Sequence, residues 1–206
     1  MTKIISFLHN DSKLLAANSY LLYDEDNNAV VIDPSLEDKE IINYAKHNKL
    51  KIKAILLTHG HYDHIRGVDY LVKHTKAPLY ISTYEVPLLT RPEFNGIEDE
   101  KVIVKTKPIE IDDNDVINAL NEPIKVIATP YHTEGGVCYY LEDSKILLSG
   151  DSLFKLWLGR TDLITSCPEK REESLKKLMK LPDDVIVYPG HGYDTTIGNE
   201  RKRIIF

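Results

Sequence analysis

The chain carries, at residues 58–64, the run Thr58-His59-Gly60-His61-Tyr62-Asp63-His64, which places four imidazole or carboxylate side chains within six positions. Imidazole nitrogen and carboxylate oxygen are donors that suit divalent transition metals. Neutral imidazoles have no obvious reason to cluster in an apolar core, so the run is interpreted as a metal site. The alternative, in which Asp63 only caps a helix and the histidines are ordinary loop residues, stays open on this stretch alone.

The flanking residues predict that this run lies between a strand and a helix. Residues 53–57 form a short apolar segment typical of a buried strand. The apolar positions that follow recur at helical spacing, at Ile65, Val68, Leu71 and Val72. In an extended run, residues two apart face the same way, so His59, His61 and Asp63 are expected to converge. His64 is expected at a helix N-terminus, where the dipole disfavours its protonated form.

Length and composition restrict the class of protein. The 206 residues fit one large domain, so residues 1–206 are predicted to form a single domain. Charged residues make up 28% with a net charge of −6, which argues against nucleic acid as a partner. Residues 1–10 lack the apolar run of a signal peptide and nothing later approaches a membrane span, so we predict a cytoplasmic protein without membrane attachment. Cys138 and Cys167 are interpreted as free structural thiols.

Strand and helix patterns alternate along the chain. Period-2 or apolar segments predict strands at 3–8, 19–23, 29–32, 79–81, 124–128, 137–141, 145–148 and 184–188. Helix starts are predicted where Ser35 pairs with Asp38 and where Ser166 pairs with Glu169. Residues 83–123 show no clean period and are interpreted as a variable lid or connector. Two strand-rich halves, each with helices, suit two mixed sheets packed face to face with helices outside, an α+β fold.

Three further ligand-type residues follow predicted strands. They are His132, Asp151 and His191. Glycines at 150, 190 and 192 would let the backbone turn sharply beside a metal. Taken singly, Asp151 is better explained as a turn residue and His191 as an ordinary loop histidine, but their recurrence at strand ends favours a shared site.

Five ordered motifs make the chain resemble the metallo-β-lactamase superfamily, and within it the short, single-domain type of hydroxyacylglutathione hydrolase (glyoxalase II). The motifs are Thr58–His64, Thr129–Thr133, Gly150–Phe154, Gly159–Leu163 and Pro189–Gly192. The resemblance implies a four-layer αββα sandwich with a dinuclear site at one edge of the two sheets. It also implies that no C-terminal helical glutathione-binding domain follows, because the chain ends at Phe206.

The same resemblance implies the ligand set. One metal is expected on His59, His61 and His132. The second is expected on Asp63, His64 and His191. Asp151 is expected to bridge them, which makes Asp63 and Asp151 the candidate catalytic residues. Two divalent ions are therefore predicted, with zinc as the first expectation and iron or manganese as alternatives.

Two metals about 4 Å apart can share one water, lower its pKa and polarise a carbonyl that the resulting hydroxide attacks. The predicted activity is hydrolysis of a small thioester, S-D-lactoylglutathione or a related acyl thiol. Arg160 matches a basic residue that contacts glutathione in the family, whereas Asp162 stands where the long enzymes have tyrosine. Lys155, Trp157 and Arg160 are expected to line the mouth of the site, with surface residues as the alternative interpretation.

Two other activities remain open. One is a persulfide dioxygenase, which resembles this family but uses one iron, on residues similar to His59, His132 and Asp151. The other is hydrolysis of lactones or phosphodiesters by the same dinuclear centre. Asp33 is a candidate for orienting a ligand imidazole, although an Asp-Pro turn explains it equally well. Oligomeric state is not predicted by any feature of the sequence.

Overall fold

Two six-stranded β-sheets packed face to face form the centre of the molecule, for which a computed structural model describes residues 1–9, 16–37, 39–96 and 102–204. The first sheet contains β1 Lys3–Phe7, β2 Ser19–Tyr23, β3 Asn28–Ile32, β4 Lys51–Leu56, β5 Leu79–Ser82 and β6 Ile109–Ile111. The second contains β7 Val116–Ile117, β8 Ile124–Ala128, β9 Val137–Leu141, β10 Ile146–Gly150, β11 Ile186–Pro189 and β12 Thr195–Thr196.

Spatial order follows chain order in both sheets, so each sheet is built from one continuous half of the sequence. In the first sheet β1, β2 and β3 are antiparallel, whereas β3 to β6 run parallel. In the second, β7 to β10 are antiparallel, β11 lies parallel to β10, and β12 returns antiparallel. Both sheets are therefore mixed, as expected.

Helices cover the outer face of each sheet. They are α1 Glu40–His47, α2 Tyr62–Ile65, α3 Val68–Thr75, α4 Val86–Thr90, α5 Pro92–Asn95, α6 Arg171–Leu178 and α7 Ile197–Arg201. Apolar residues of α1 and α3 pack on the first sheet, and those of α6 and α7 pack on the second. The predicted αββα sandwich of the α+β class is confirmed.

The alternation of side chains along each strand explains these layers. On β2, Tyr20 and Leu22 point into the core between the sheets, whereas Leu21 points toward the helices. On β3, Val30 and Val31 divide between the two layers in the same way. Since both faces of a central strand are covered, its sequence is apolar throughout. Cys138 is buried on β9 and Cys167 is half-buried, and both are free thiols as predicted.

The two helix starts predicted at Ser35 and Ser166 were wrong. The helix α1 begins at Glu40 with Lys39 as an N-cap that makes no side-chain bond, and the Ser35 hydroxyl contacts Ser19 instead. Asp38 lies outside the described residues. Ser166 donates its hydroxyl to the carbonyl of His132, and a 3₁₀ turn at Pro168–Lys170 precedes α6. In both places a tertiary contact takes the hydroxyl away from the helix end.

The helix predicted at 65–74 is divided into α2 and α3, with the junction at Gly67. A Cβ at Gly67 would lie 2.2 Å from the carbonyl oxygen of Leu36, so the chain passes too close there for a side chain. Residues 83–123 contain more structure than a connector: they supply α4, α5 and the edge strands β6 and β7 among their described part. Among the described residues, no helix has the length and apolar character needed to cross a membrane.

Candidate metal centre

Four strands deliver the ligand-type residues to one edge of the sandwich. The strands β8 and β10 are both antiparallel to β9, so they run in the same direction as each other. The strand β11 pairs parallel with β10, so all three run in the same direction. The carboxyl ends of these three strands therefore lie at one edge, where His132, Asp151 and His191 follow them. The loop after β4 and the helix α2 bring the first-sheet residues to the same place, and these are His59, His61, Asp63 and His64.

The first ligand group consists of three buried histidines, His59, His61 and His132. One ligand atom from each lies within 4.8 Å of the others. The Nε2 atom of His132 is 3.1 Å from Nδ1 of His61. Three imidazoles at this separation, with their nitrogens directed at one another, can hold one divalent ion.

The second ligand group consists of Asp63, His64 and His191. The carboxylate of Asp63 lies 3.1 Å from Nε2 of His191 and 3.8 Å from Nε2 of His64. This group differs from the sequence prediction that Asp63 converges with His59 and His61. Because Asp63 belongs to the helix α2 and not to an extended segment, its side chain turns toward His191.

Asp151 lies between the two groups. Its Oδ1 atom is 3.3 Å from Nε2 of His64, and its Oδ2 atom is 3.4 Å from Nε2 of His132 and 3.8 Å from Nε2 of His191. Its Oδ2 atom therefore approaches one member of each group, and its Oδ1 atom approaches the second group. A carboxylate in this position can contact ions in both groups at once.

The buried imidazoles His59 and His64 are oriented through one hydrogen-bonded unit. The Asp33 carboxylate accepts from the backbone N–H of Thr58 at 2.8 Å, from the Thr58 hydroxyl at 2.6 Å and from Nδ1 of His64 at 2.9 Å. Because the Thr58 hydroxyl donates to Asp33, it accepts from Nδ1 of His59, which lies 3.1 Å away. Asp33 thus leaves the Nε2 lone pair of both histidines free for metal.

Two further contacts orient the other members of the first group. Nδ1 of His132 donates to the backbone carbonyl of Arg160 at 2.9 Å. Nε2 of His61 lies 3.1 Å from the hydroxyl of Thr165. Each of these contacts uses the nitrogen that faces away from the cluster, so the other nitrogen remains available as a ligand.

The donor atoms fit a bound cation. Nε2 of His59, Nε2 of His64 and Oδ1 of Asp151 are all buried, and none has a hydrogen-bond partner. Buried polar atoms without partners are rare and unfavourable, since each has lost its contact with water. Divalent ions in the two groups would satisfy all three atoms, and nitrogen with carboxylate oxygen is the donor set that zinc, iron and manganese accept.

Burial and neighbouring charges set the protonation of the cluster. Burial, with nearby His64, lowers the pKa of His59 well below its usual value, and burial with nearby His132 lowers the pKa of His61 to about 3. Burial alone would raise the pKa of Asp151, but the adjacent His64 lowers it well below its usual value. These residues are therefore in the state that binds metal near neutral pH.

His64 differs from the expectation based on the helix dipole. Burial alone would lower its pKa, but the carboxylates of Asp63, Asp151 and Asp33 raise it well above its usual value. Three full charges in a buried site outweigh the dipole of a four-residue helix.

An open cavity of about 530 Å³ leads to the cluster. Five ligand-type residues line it, together with the segments Glu93–Gly96 and Leu163–Thr165 and with Arg160; the five are His61, Asp63, His132, Asp151 and His191. Part of the region 83–123 is therefore a wall of the site. Arg160 is one of the residues that line this cavity, and its guanidinium is paired with Asp162 through contacts of 2.7 Å.

Lys155 and Trp157 are not among the residues that line this cavity. Both are exposed, and Trp157 lines a separate groove with Arg203 and Ile204. The loop after Asp151 closes on itself through the pair Leu153 and Leu158, with Leu156 in the left-handed region at φ 72°. Its tip therefore points away from the ligands, and Phe154 lies against His191 instead, with ring centroids 6.2 Å apart.

Two residues that position the ligand loops gave no signal in the sequence. The buried side chain of Asn18 donates to the carbonyls of Pro189 and Gly192, on both sides of His191, at 3.1 and 2.9 Å. The buried carboxylate of Glu85 accepts hydrogen bonds from two backbone N–H groups in different ligand loops. A glutamate among apolar residues was the only available hint for the second.

The model of the metallo-β-lactamase superfamily matches residues 13–191 of the chain. The chain belongs to this superfamily. The match spans all seven ligand-type residues, and members of the superfamily typically bind metal ions, in agreement with the His/Asp cluster. A metal-dependent hydrolase is the class of protein that the family supports.

Curated relatives extend over nearly the full chain. A probable metallo-hydrolase of Bacillus subtilis, YqgX, is 35% identical over 193 residues, which cover 92% of this chain and 91% of the relative. The hydroxyacylglutathione hydrolase GloC of Haemophilus influenzae is 28% identical over 194 residues, covering 90% of each chain.

Solved structures share the fold. The B3 metallo-β-lactamase BLEG-1 superposes with a TM-score of 0.89 at 33% identity, covering 98% of this chain and 97% of that chain. TTHA1623 in a di-iron-bound form gives 0.79 at 30% identity, with 95% and 96% covered. ETHE1 of Myxococcus xanthus gives 0.78 at 28% identity, with 97% and 82% covered.

Proposed function

We propose that this protein is a dinuclear metal-dependent hydrolase of small thioesters, of the hydroxyacylglutathione hydrolase type. The observation that carries the proposal is the position of Asp151 between two separate ligand groups, beneath a cavity open to solvent. A structural metal site would need only one closed set of four ligands. Two sets that share a carboxylate, with room beside them, are typical of catalysis.

The first group, His59, His61 and His132, would hold one ion, and the second group, Asp63, His64 and His191, would hold the other. When bound, the ions would lower the pKa of a shared water toward neutrality and polarise a substrate carbonyl. Zinc is the first candidate, and the di-iron form of TTHA1623 supports iron as an alternative. The remaining contribution of the chain is to fix both ligand groups and to orient the substrate.

The cavity supports a small acyl substrate with a thiolate leaving group. A thiolate leaves without help from a strong general acid, so the ligand residues need not supply one. Arg160 on the wall can attract a carboxylate of the thiol part, although Asp162 already neutralises much of its charge. The likeness to GloC supports the same substrate class.

The deciding experiment is metal content per chain by elemental analysis on protein purified without added metal, followed by a thioester assay on the same sample. Close to two ions, with turnover of S-D-lactoylglutathione or another acyl thiol that a chelator abolishes, is the expected result. Nitrocefin serves as the control substrate, because BLEG-1 is a metallo-β-lactamase. A metal-replete sample that hydrolyses no thioester contradicts the proposal.

A persulfide dioxygenase is the second candidate, and the likeness to ETHE1 favours keeping it. In that case one iron would use His59, His132 and Asp151, which also lie together in this structure. One iron per chain, with oxygen consumed on addition of glutathione persulfide, would select this activity. The same metal analysis therefore separates both candidates.

Replacing Asp63 by alanine is expected to remove one metal per chain and leave the fold intact. The carboxylate contacts only members of the second group, at 3.1 and 3.8 Å, so the three histidines of the first group keep their ligand atoms. Elemental analysis and circular dichroism measure the two effects. Asp184→Ala is a matched control, since that exposed aspartate pairs only with the surface residue Lys145. Full occupancy of two ions in Asp63→Ala would refute the ligand assignment.

Acidification is expected to release the metal of the second group first. Metal binds neutral imidazole, so protons compete with it. Burial alone would lower the pKa of His191, but its hydrogen bond with Asp63 raises it, and the pKa of His64 is raised as well. The pKa values of His59 and His61 in the first group are lowered, so these two ligands stay unprotonated to lower pH.

The metal affinity of the second group should therefore increase as the pH rises past the raised pKa values of His64 and His191. Equilibrium dialysis of zinc between about pH 8 and pH 5 measures this, with two separate steps of release as the expected result. Loss of both ions in one step at the same pH contradicts the prediction.

A further inference from the structure

Glu85 is a buried carboxylate that lies between the two halves of the first ligand group. It ends the 3₁₀ turn Thr83–Glu85 after β5 and is 0% exposed. Its Oε2 atom accepts the N–H of Gly60 at 2.7 Å, and its Oε1 atom accepts the N–H of Gly135 at 2.8 Å. Both oxygens of one carboxylate are thus used, each by a different loop.

These two loops carry the ligands of the first group. Gly60 stands between His59 and His61, after a strand of the first sheet. Gly135 follows His132 by three positions, in the connection from β8 to β9 of the second sheet. The carboxylate of Glu85 therefore joins the two sheets at the point where their histidines must meet.

The packing around Glu85 leaves little freedom. A Cβ at Gly135 would lie 2.8 Å from Cγ of Glu85 and 2.8 Å from Cβ of Tyr84. A Cβ at Gly60 would lie 3.3 Å from Oε2 of Glu85 and 2.6 Å from Cβ of Leu88. Glycine at both positions lets the backbone amides approach the carboxylate directly, so a shift of Glu85 would move both loops.

The chemistry of this contact requires a carboxylate. Both partners are N–H donors that approach different atoms of the side-chain terminus, so both of these atoms must be acceptors, as they are in a carboxylate. An amide in its place would direct an NH₂ group at one of the two N–H groups. Burial raises the pKa of Glu85, and interactions with the Thr133 side chain and with the two backbone N–H groups offset part of that rise.

We propose that Glu85 is a positioning residue that holds His59 and His61 at the correct separation from His132, and so sets the metal affinity of the first ligand group. The role depends on the metal binding assigned above and not on the reaction that the centre catalyses. Glu85 acts only through the loops, because its oxygens are occupied by Gly60 and Gly135.

The test is Glu85→Gln, which keeps the size of the side chain and removes one acceptor. Zinc binding is measured by competition with a chromophoric chelator, at a temperature where circular dichroism shows each variant folded. One site is expected to weaken by about 10- to 100-fold while the other keeps its affinity. The absorption spectrum of the Co²⁺-loaded protein should change as well, because it reports ligand geometry.

Glu122→Gln is the matched control. Glu122 is also a buried glutamate that accepts a hydrogen bond from a backbone N–H, that of Ser144 at 3.1 Å. However, Glu122 precedes β8 whereas His132 follows that strand. This variant should bind both zinc ions as the wild type does. A second test variant, Gly135→Ala, keeps the carboxylate but presses on its Cγ, and it should weaken the same site as Glu85→Gln.

If both Glu85→Gln and Gly135→Ala bind zinc at both sites with wild-type affinity, the proposed role of Glu85 is wrong, whereas the metal centre itself is not contradicted. The role is also wrong if both sites lose the same amount of zinc affinity and this loss only parallels a lower thermal midpoint of the metal-free protein. A wild-type protein that binds neither Zn²⁺ nor Co²⁺ overturns the metal centre itself, and the role of Glu85 with it.

Discussion

Asp151→Ala is expected to lose both metal ions and to lower kcat/KM for the thioester by about 10³-fold or more. The Asp151 oxygens approach His64, His132 and His191, which belong to different ligand groups. Without the carboxylate, each ion would lose a ligand and the two positive charges would lose the anion between them. No other single substitution in the cluster should affect both groups so strongly.

Zinc stoichiometry measured by elemental analysis checks this prediction independently of the substrate. Asp184→Ala again provides the control, because it removes a surface aspartate that precedes β11, whereas His191 follows that strand. Asp63→Ala provides the internal comparison, since one ion should remain there. If Asp151→Ala keeps one ion at wild-type affinity, Asp151 belongs to a single group and the bridging assignment is wrong.

Gly190→Ala is expected to weaken zinc binding by more than about 100-fold and to destabilise the metal-free protein by about 1–3 kcal/mol. A Cβ at this position would lie 2.2 Å from Oδ1 of Asp151 and 2.7 Å from Cε1 of His64. It would also lie 3.2 Å from the carbonyl carbon of Gly150, which belongs to the backbone and moves less easily. One methyl group would thus displace both Asp151, which lies between the two groups, and His64 of the second group.

Gly192→Ala separates this clash from a general effect of losing a glycine beside His191. A Cβ at Gly192 meets nothing within 4 Å, although its φ of +77° adds strain of about 1 kcal/mol for alanine. This control should lower the thermal midpoint slightly and keep both ions. Chelator competition and thermal unfolding measure the two variants side by side. If Gly190→Ala and Gly192→Ala bind zinc with equal affinity, the proposed clash of a Cβ at Gly190 with Asp151 and His64 is wrong.

The fold was predictable from the sequence because its central strands carry strong patterns. Segments such as 19–23 and 137–141 are apolar on both faces, since each lies between the core and a helical layer. The strands β6 and β7 were not predicted, because elements of three and two residues at a sheet edge show no period. The ligand residues were recognisable because each motif directly follows a strand.

The residues that orient the ligands depend on contacts that no local pattern records. Glu85 is 25 positions from Gly60 and 50 positions from Gly135, and only the folded chain brings them together. Asn18 acts across 171 positions on the carbonyl of Pro189. Lys155 and Trp157 follow Asp151 closely in sequence, but a backbone reversal at Leu156 takes them away from the cavity. Asp33 was recognisable only as one of two interpretations, and its contact with His64 decides between them.

The division of the ligands between two sheets, each formed by one half of the chain, has a consequence for biosynthesis. The first ligand group needs His132 and the second needs His191, and both residues follow strands of the second sheet. A ribosome-bound chain that has released only the first sheet therefore presents His59, His61, Asp63 and His64 without a complete site. In the proposed dinuclear centre, both ions would therefore bind after the second sheet has assembled, as a late step of folding.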